Sequence, residues 1–163
     1  MVEAPRMDIT KLAPEAYRHL IALEQTIAAR IDRKLYHLIK LRASQINGCA
    51  FCIGMHSDEA LRDGETVERL LMLDAWEESS LYTDKERAAL EWVEDLTLIA
   101  DTHAPKESFD GLRAHFSSEE IGYLTLAATM INAWNRIAIS SRGQYDREDF
   151  HRRTAEVKVA APA

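Results

Sequence analysis

Leu38-Ile-Lys-Leu-Arg-Ala-Ser-Gln-Ile-Asn-Gly-Cys-Ala-Phe-Cys-Ile-Gly-Met-His56 reads as the end of one helix, a stop, and the start of another. Up to Ile46 the apolar residues recur at helical spacing. Asn47-Gly48 is a helix stop, because both residues tolerate positive φ. A new helix begins near Cys49, with Cys52 one turn on and His56 at i+4 from Cys52, on the same helix face.

Outward from this joint the helical pattern continues in both directions. Residues 1–13 form a short lead-in, and Pro14-Glu15 opens a helix carrying Tyr17, Leu20, Ile21, Ile27 and Ile31 at helical spacing. Asp32 is the expected N-cap of the next helix. Asp63-Gly64 ends the Cys49 helix, and Thr66 caps another from Val67 to Trp76. Thr83-Asp-Lys-Glu86 is a capping box opening a long helix through Ala100, whose charges from Asp84 to Glu94 read as a solvated face. Pro105 starts a helix to about His115, and Ser117-Ser-Glu-Glu120 starts the last and longest one, through Asn135 and Ala138. No stretch alternates with period two. The fold class expected is all-α: a helical bundle in one domain over residues 1–163, with a core at about 14–140 and a flexible C-terminal tail at about 143–163.

Composition narrows the function. The chain has 163 residues, 47% of them hydrophobic and 29% charged, which suits one globular domain. Its net charge of −7 disfavours nucleic acid and anionic membranes as partners. No segment approaches the ~18 apolar residues of a membrane span, and the N-terminus lacks a signal-peptide pattern, so a cytoplasmic location is expected.

Cys49 and Cys52 are the 2 cysteines of the chain, and their spacing marks a redox dithiol or half of a metal site. A static disulfide closing so short a loop would constrain little of the unfolded chain. In a first helical turn, unpaired backbone N–H groups and the helix dipole favour a thiolate. An imidazole one turn away takes the thiol proton or stabilises the anion. Two further readings stand beside the redox one: an inert buried pair, and a Cys2His2 zinc site formed by Cys49, Cys52, His56 and His37. Asn132, Asn135 and Arg136 interrupt an apolar helix and need partners, either in a structural polar network or at a substrate. Ser44 and Gln45 invite the same two readings, and Tyr36 is a candidate hydrogen-bond donor to the pocket.

The segment from Leu38 to His56 closely resembles the core of the AhpD-like alkylhydroperoxidase branch of the carboxymuconolactone decarboxylase family. Ile131-Asn-Ala-Trp-Asn-Arg-Ile137 resembles that branch's last core helix, and Thr83-Asp-Lys-Glu-Arg-Ala-Ala-Leu-Glu-Trp92 its middle helix. The resemblance implies an all-helical homo-oligomer, as dimer, trimer or hexamer, that reduces hydroperoxides or disulfides. No cofactor is implied beyond a redox-active Cys49–Cys52 disulfide, and the partners implied are a hydroperoxide and a dithiol reductant protein or small thiol. By carry-over, Cys52 is oxidised to the sulfenic acid, Cys49 closes the disulfide and exchanges with the reductant, and His56 relays the proton. The pattern departs at two positions: His37 stands where the branch carries a glutamate, and Phe51 where it carries a second relay histidine. His37 shuttles protons in this reading but supplies no fixed negative charge. Three rival functions follow: a redox partner protein or disulfide reductase without peroxidase turnover, the zinc module, and a lactone decarboxylase independent of the thiols.

Overall fold

The computed structural model describes residues 3–148 and His151, and among them every element is helical. The elements are α1 (Ile9–Leu12), α2 (Pro14–Ala28), α3 (Arg33–Ile46), α4 (Ala50–Arg62), α5 (Val67–Met72), a 3-10 turn (Leu73–Ala75), α6 (Asp84–Thr97), α7 (Ile99–Thr102), α8 (Lys106–His115) and α9 (Ser118–Ser141). The expected caps act as side-chain caps: Asp32 accepts from Leu35 N, Thr66 from Arg69 N, and Thr83 and Ser117 each close a full capping box.

Three elements differ from the sequence expectation. The lead-in contains a single helical turn, α1, because the Asp8 carboxylate accepts from Thr10 N. The helix from Val67 stops at Met72 and tightens into the 3-10 turn, which drives Leu73 to full burial. The long helix from Thr83 breaks at Leu98 into α6 and α7. There the Thr97 hydroxyl donates back to Val93 O and receives Asn132 Nδ2 at 3.0 Å, so the end of α6 is tied to α9.

α3 is the hub. It packs on α4, α6 and α9, and α6 in turn packs on α8 and α9. Leu35 to Leu41 are all buried, so both faces of the helix meet protein. One face joins a large cluster with Ile39, Ala43, Trp92, Val93, Leu112, Leu124 and Ile131. The other, through Leu38 and Leu41, joins Ala60, Leu73, Trp76, Tyr82 and Leu90 under α4 and α5. Trp76 and Trp92 are thus spent inside the chain. The charges of α6 are not uniformly solvated: Glu94 accepts from Arg42 Nε at 2.6 Å and Trp76 Nε1 at 2.5 Å, and Glu86 pairs with Arg69 at 2.6 Å.

The polar residues of α9 form a structural network. Asn47 Nδ2 lies 2.9 Å from both Asn132 Oδ1 and Asn135 Oδ1, and Asn135 Nδ2 donates to Ser44 Oγ at 3.0 Å. The start of the expected tail is held against the body. Tyr145 OH donates to Asp58 Oδ2, Gln144 Nε2 donates to Glu3 O at 2.8 Å, and Arg147 pairs with Asp58 at 3.2 Å. Residues 149–150 and 152–163 of that tail lie outside the described residues.

Asn135 is fully buried and bonded to two elements of the α3–α4 joint. Asn135→Ala should cost about 1–3 kcal/mol by removing its buried hydrogen bonds to Asn47 and Ser44. Urea denaturation checks this as a lower midpoint at unchanged m-value.

Candidate functional site

The turn at Gly48 (φ +66°) reverses the chain, and Cys49 N then donates to Ser44 O at 3.0 Å. Glycine is suited here because an L side chain is strained at that φ. Cys49 emerges as the N-cap of α4, with its sulfur 3.4 Å from Cys52 N, whose N–H belongs to the open first turn. Cys49 and Cys52 are joined as a disulfide with a Cα–Cα distance of 5.3 Å. Both are buried, at 1% and 2% exposure.

His56 lies one turn further along α4 and is 4% exposed. Its Nδ1 is 2.8 Å from Glu59 Oε2, whereas its Nε2 is buried without a hydrogen-bond partner. An ionised carboxylate at Nδ1 fixes the Nδ1–H tautomer and leaves the Nε2 lone pair as the proton acceptor. Burial holds the His56 pKa below its ordinary value, and Lys40 acts in the same direction while Glu59 opposes both. Burial alone would raise the Glu59 carboxyl, but the His56 hydrogen bond and the Lys40 charge outweigh it and hold it down to about 2.

Lys40 extends the chain of charges into the core. Its Nζ donates to Glu59 Oε2 at 3.4 Å, lies 3.9 Å from Glu24 Oε1 and sits over the Tyr36 ring at 4.5 Å. Glu24 accepts from Tyr36 OH at 2.5 Å and from Trp134 Nε1 at 3.1 Å. Carboxylates from α2 and α4 therefore flank one buried ammonium on α3.

The structure places Cys49 at the N-cap of α4 with Cys52 and His56 on successive turns of that helix, whereas His37 on α3 is bonded to Asp63 and adds only to the field that lowers the Glu59 pKa. His37 Nε2 is 2.6 Å from Asp63 Oδ2, which also accepts from Arg33 Nε at 2.5 Å. Tyr36 donates to Glu24, not to a pocket at the thiols. Among the described residues, no group of three or more His, Cys, Asp or Glu is arranged to hold a metal ion, so the four zinc ligands of the Cys2His2 reading are not gathered. Sequence reasoning missed Glu59, Lys40 and Glu24. The signal for Glu59 was available, because i, i+3 spacing from His56 puts a carboxylate within reach of the ring. Nothing local marks Glu24, which arrives from another helix.

A model of the carboxymuconolactone decarboxylase family matches residues 14–95. The uncharacterized protein YdfG of Bacillus subtilis (strain 168) is 41% identical over 136 residues, covering 83% of this chain and 92% of YdfG. The crystal structure of an Agrobacterium tumefaciens protein of unknown function, named for AhpD-type antioxidant defence, is 46% identical. It aligns with a TM-score of 0.85 over 88% of this chain and 99% of that one. The debrominase Bmp8, 22% identical, shares the fold with a TM-score of 0.74 over 85% of this chain and 75% of its own.

Because Glu59 raises the His56 pKa and burial lowers it, Glu59→Gln should shift the imidazole titration to still lower pH; an NMR pH titration of His56 checks this. The folded-state pKa of Glu59 lies below its ordinary 4.5, so its contribution to stability is present above pH 4.5 and disappears as pH falls toward about 2. Denaturation midpoints measured across that window should fall less steeply in Glu59→Gln than in the wild type.

Proposed function

This chain belongs to the carboxymuconolactone decarboxylase family, and from that premise we propose that it is a thiol-dependent peroxidase cycling through Cys49 and Cys52. The observation that carries the reading is the line Cys49, Cys52, His56, Glu59 on α4: a bonded dithiol followed by a buried imidazole with its tautomer set and its second nitrogen unpartnered.

In the reduced enzyme, His56 Nε2 takes the Cys52 proton, and the thiolate attacks the O–O bond of a hydroperoxide. The distal oxygen passes to sulfur as sulfenic acid, and the alcohol leaves with a proton. Cys49, whose thiolate is stabilised at the N-cap by the Cys52 N–H, attacks the sulfenic sulfur and expels water. Two electrons thus move from the dithiol to the peroxide, and an external dithiol restores them. The carboxylate that the family pattern puts at position 37 is supplied in this mechanism by Glu59. The His56 hydrogen bond and the Lys40 charge keep Glu59 ionised, and in this mechanism His37, bonded to Asp63, carries no proton of the relay.

The reading includes a cytoplasmic setting, where reductants are at hand. It also includes assembly from identical chains, supported by the apolar residues Val67 (59% exposed), Leu71 (75%) and Met72 (41%) that α5 exposes. A disulfide-reductase or redox-partner role uses the same thiols without peroxide turnover, and the following measurement separates them.

Stopped-flow thiol loss on mixing reduced protein with hydroperoxide should be second order and saturate at two thiols per chain. Cys52→Ser should lower the rate constant by about 10²-fold or more, since the activated nucleophile is gone. Cys49→Ser should stop at a sulfenic acid on Cys52, trapped by mass spectrometry. Disulfide exchange without peroxide-dependent thiol loss would leave only the reductase role. Full peroxide reactivity of Cys49 in Cys52→Ser would reverse the order of the cysteines.

A further inference from the structure

Lys40 and His56 contend for one oxygen. Glu59 Oε2 lies 2.8 Å from His56 Nδ1 and 3.4 Å from Lys40 Nζ. While His56 is neutral, the imidazole N–H and the ammonium share one carboxylate, which has lone pairs enough for both. Once His56 Nε2 takes a proton, two buried cations face the same oxygen. Each raises the cost of the other, and there is little water at hand to screen them. Glu59 therefore balances Lys40 or an imidazolium, but not both.

A second carboxylate stands on Lys40 from α2. Glu24 Oε1 lies 3.9 Å from Lys40 Nζ, and both Glu24 oxygens accept from neutral donors: Oε1 from Tyr36 OH at 2.5 Å, Oε2 from Trp134 Nε1 at 3.1 Å. Burial, and after it the Glu24 carboxylate, pushes the Tyr36 phenol up, so it stays a donor. These bonds fix Glu24 in place without adding charge. Lys40 brings one positive charge, and Glu24 and Glu59 bring two negative ones, so with His56 neutral the cluster holds a surplus of one negative charge. The other charged groups nearby have partners of their own. On α3, His37 and Arg33, whose fields both reach Glu59, share Asp63. On α4, Asp58 is taken by Tyr145 and Arg147, and on α9 Arg136 donates to Asn132 of its own helix.

We propose that Glu24 is the counter-charge for protonated His56: a positioning residue on α2 that acts through Lys40 and Glu59 and lets the imidazole hold the proton of the attacking thiol. The proposal rests on the proton transfer from Cys52 to His56 given above. In that step the S–H bond of Cys52 breaks, its electron pair stays on sulfur, and His56 Nε2 gains the proton; nothing is oxidised. The new positive charge cancels the surplus negative one, so the buried cluster passes from net negative to neutral. Without Glu24 it would pass from neutral to net positive, which a buried site resists. Glu24 and Lys40 thus act on His56 with opposite sign although they attract each other: Lys40 opposes the imidazolium and Glu24 favours it. A pair retained only to pack α2 on α3 would give the two residues effects of the same sign.

The test is the titration of the His56 ring, followed by NMR on the oxidised full chain, where the bonded cysteines do not titrate. The near-isosteric Glu24→Gln should lower the His56 pKa by about half a pH unit or more, and Lys40→Met should raise it by about one. The double variant loses one charge of each sign and should titrate between the two single variants, within about 0.3 pH units of the wild type. Circular dichroism and thermal unfolding establish that each protein is folded. Where one single variant does not fold, the other compared with the double variant carries the same test of sign. A His56 titration that Glu24→Gln leaves in place or raises overturns the proposal. So does a double variant that titrates no higher than Glu24→Gln, or no lower than Lys40→Met. In the reduced protein, the acid limb of hydroperoxide-dependent thiol loss should move to higher pH in Glu24→Gln. The expected NMR shifts without any such thiol loss remove only the peroxidase reading, and thiol loss with an unmoved His56 titration removes only the role of Glu24.

Discussion

Asn47 holds the end of α3 against α9 and thereby sets the angle at which α4 departs. Its amide nitrogen has two hydrogens and lies 2.9 Å from three oxygens, those of Ala43, Asn132 and Asn135. The next residue, Gly48, turns through positive φ, and Cys49 returns its N–H to Ser44 O. With the joint clamped on both sides, the first turn of α4 has one orientation. That orientation makes Cys49 an N-cap, puts Cys52 in the open turn of N–H groups and carries His56 into the interior. Buried amides tolerate little displacement, because a lost partner leaves a desolvated polar group. The clasp therefore gives the dithiol a rigid mounting, as a site of defined geometry needs.

The same central position of α3 explains the charges behind the thiols. A helix packed on both faces has nowhere to send a lysine, and Lys40 is 7% exposed. Burying an ammonium is expensive unless it is paired. Glu24 and Glu59 are those pairs, and the Tyr36 ring adds a cation–π contact. What the fold requires to accommodate Lys40 also polarises Glu59, and Glu59 orients His56. Stability of the interior and preparation of the site are two consequences of one electrostatic arrangement. It lets the helix register place a carboxylate on His56 from within α4, three residues along, although position 37 carries a histidine engaged with Asp63.

Most of the fold is legible in the chain because helix boundaries are local. Asp32, Thr66, Thr83 and Ser117 are small polar residues whose side chains reach backbone N–H groups two or three residues on, and each does so. The breaks at Met72 and Leu98 were not legible, since they follow from packing: Leu73 seeks the core, and Thr97 is held by Asn132, 35 residues away.

The site divides along the same line. The sequence by itself determined the all-α class, the placement of Cys49 and Cys52 at a helix start and the sharing of one face by Cys52 and His56, because these depend on spacing and on the Asn47-Gly48 stop. Only the tertiary structure decided which carboxylate reaches His56, where His37 points, that Glu24 and Lys40 join the charge chain, and that Tyr145 is tied to Asp58 of α4. Those outcomes depend on residues from α2, α3, α4 and the chain beyond α9 meeting in space, and local spacing carries no information about which side chains distant helices bring together.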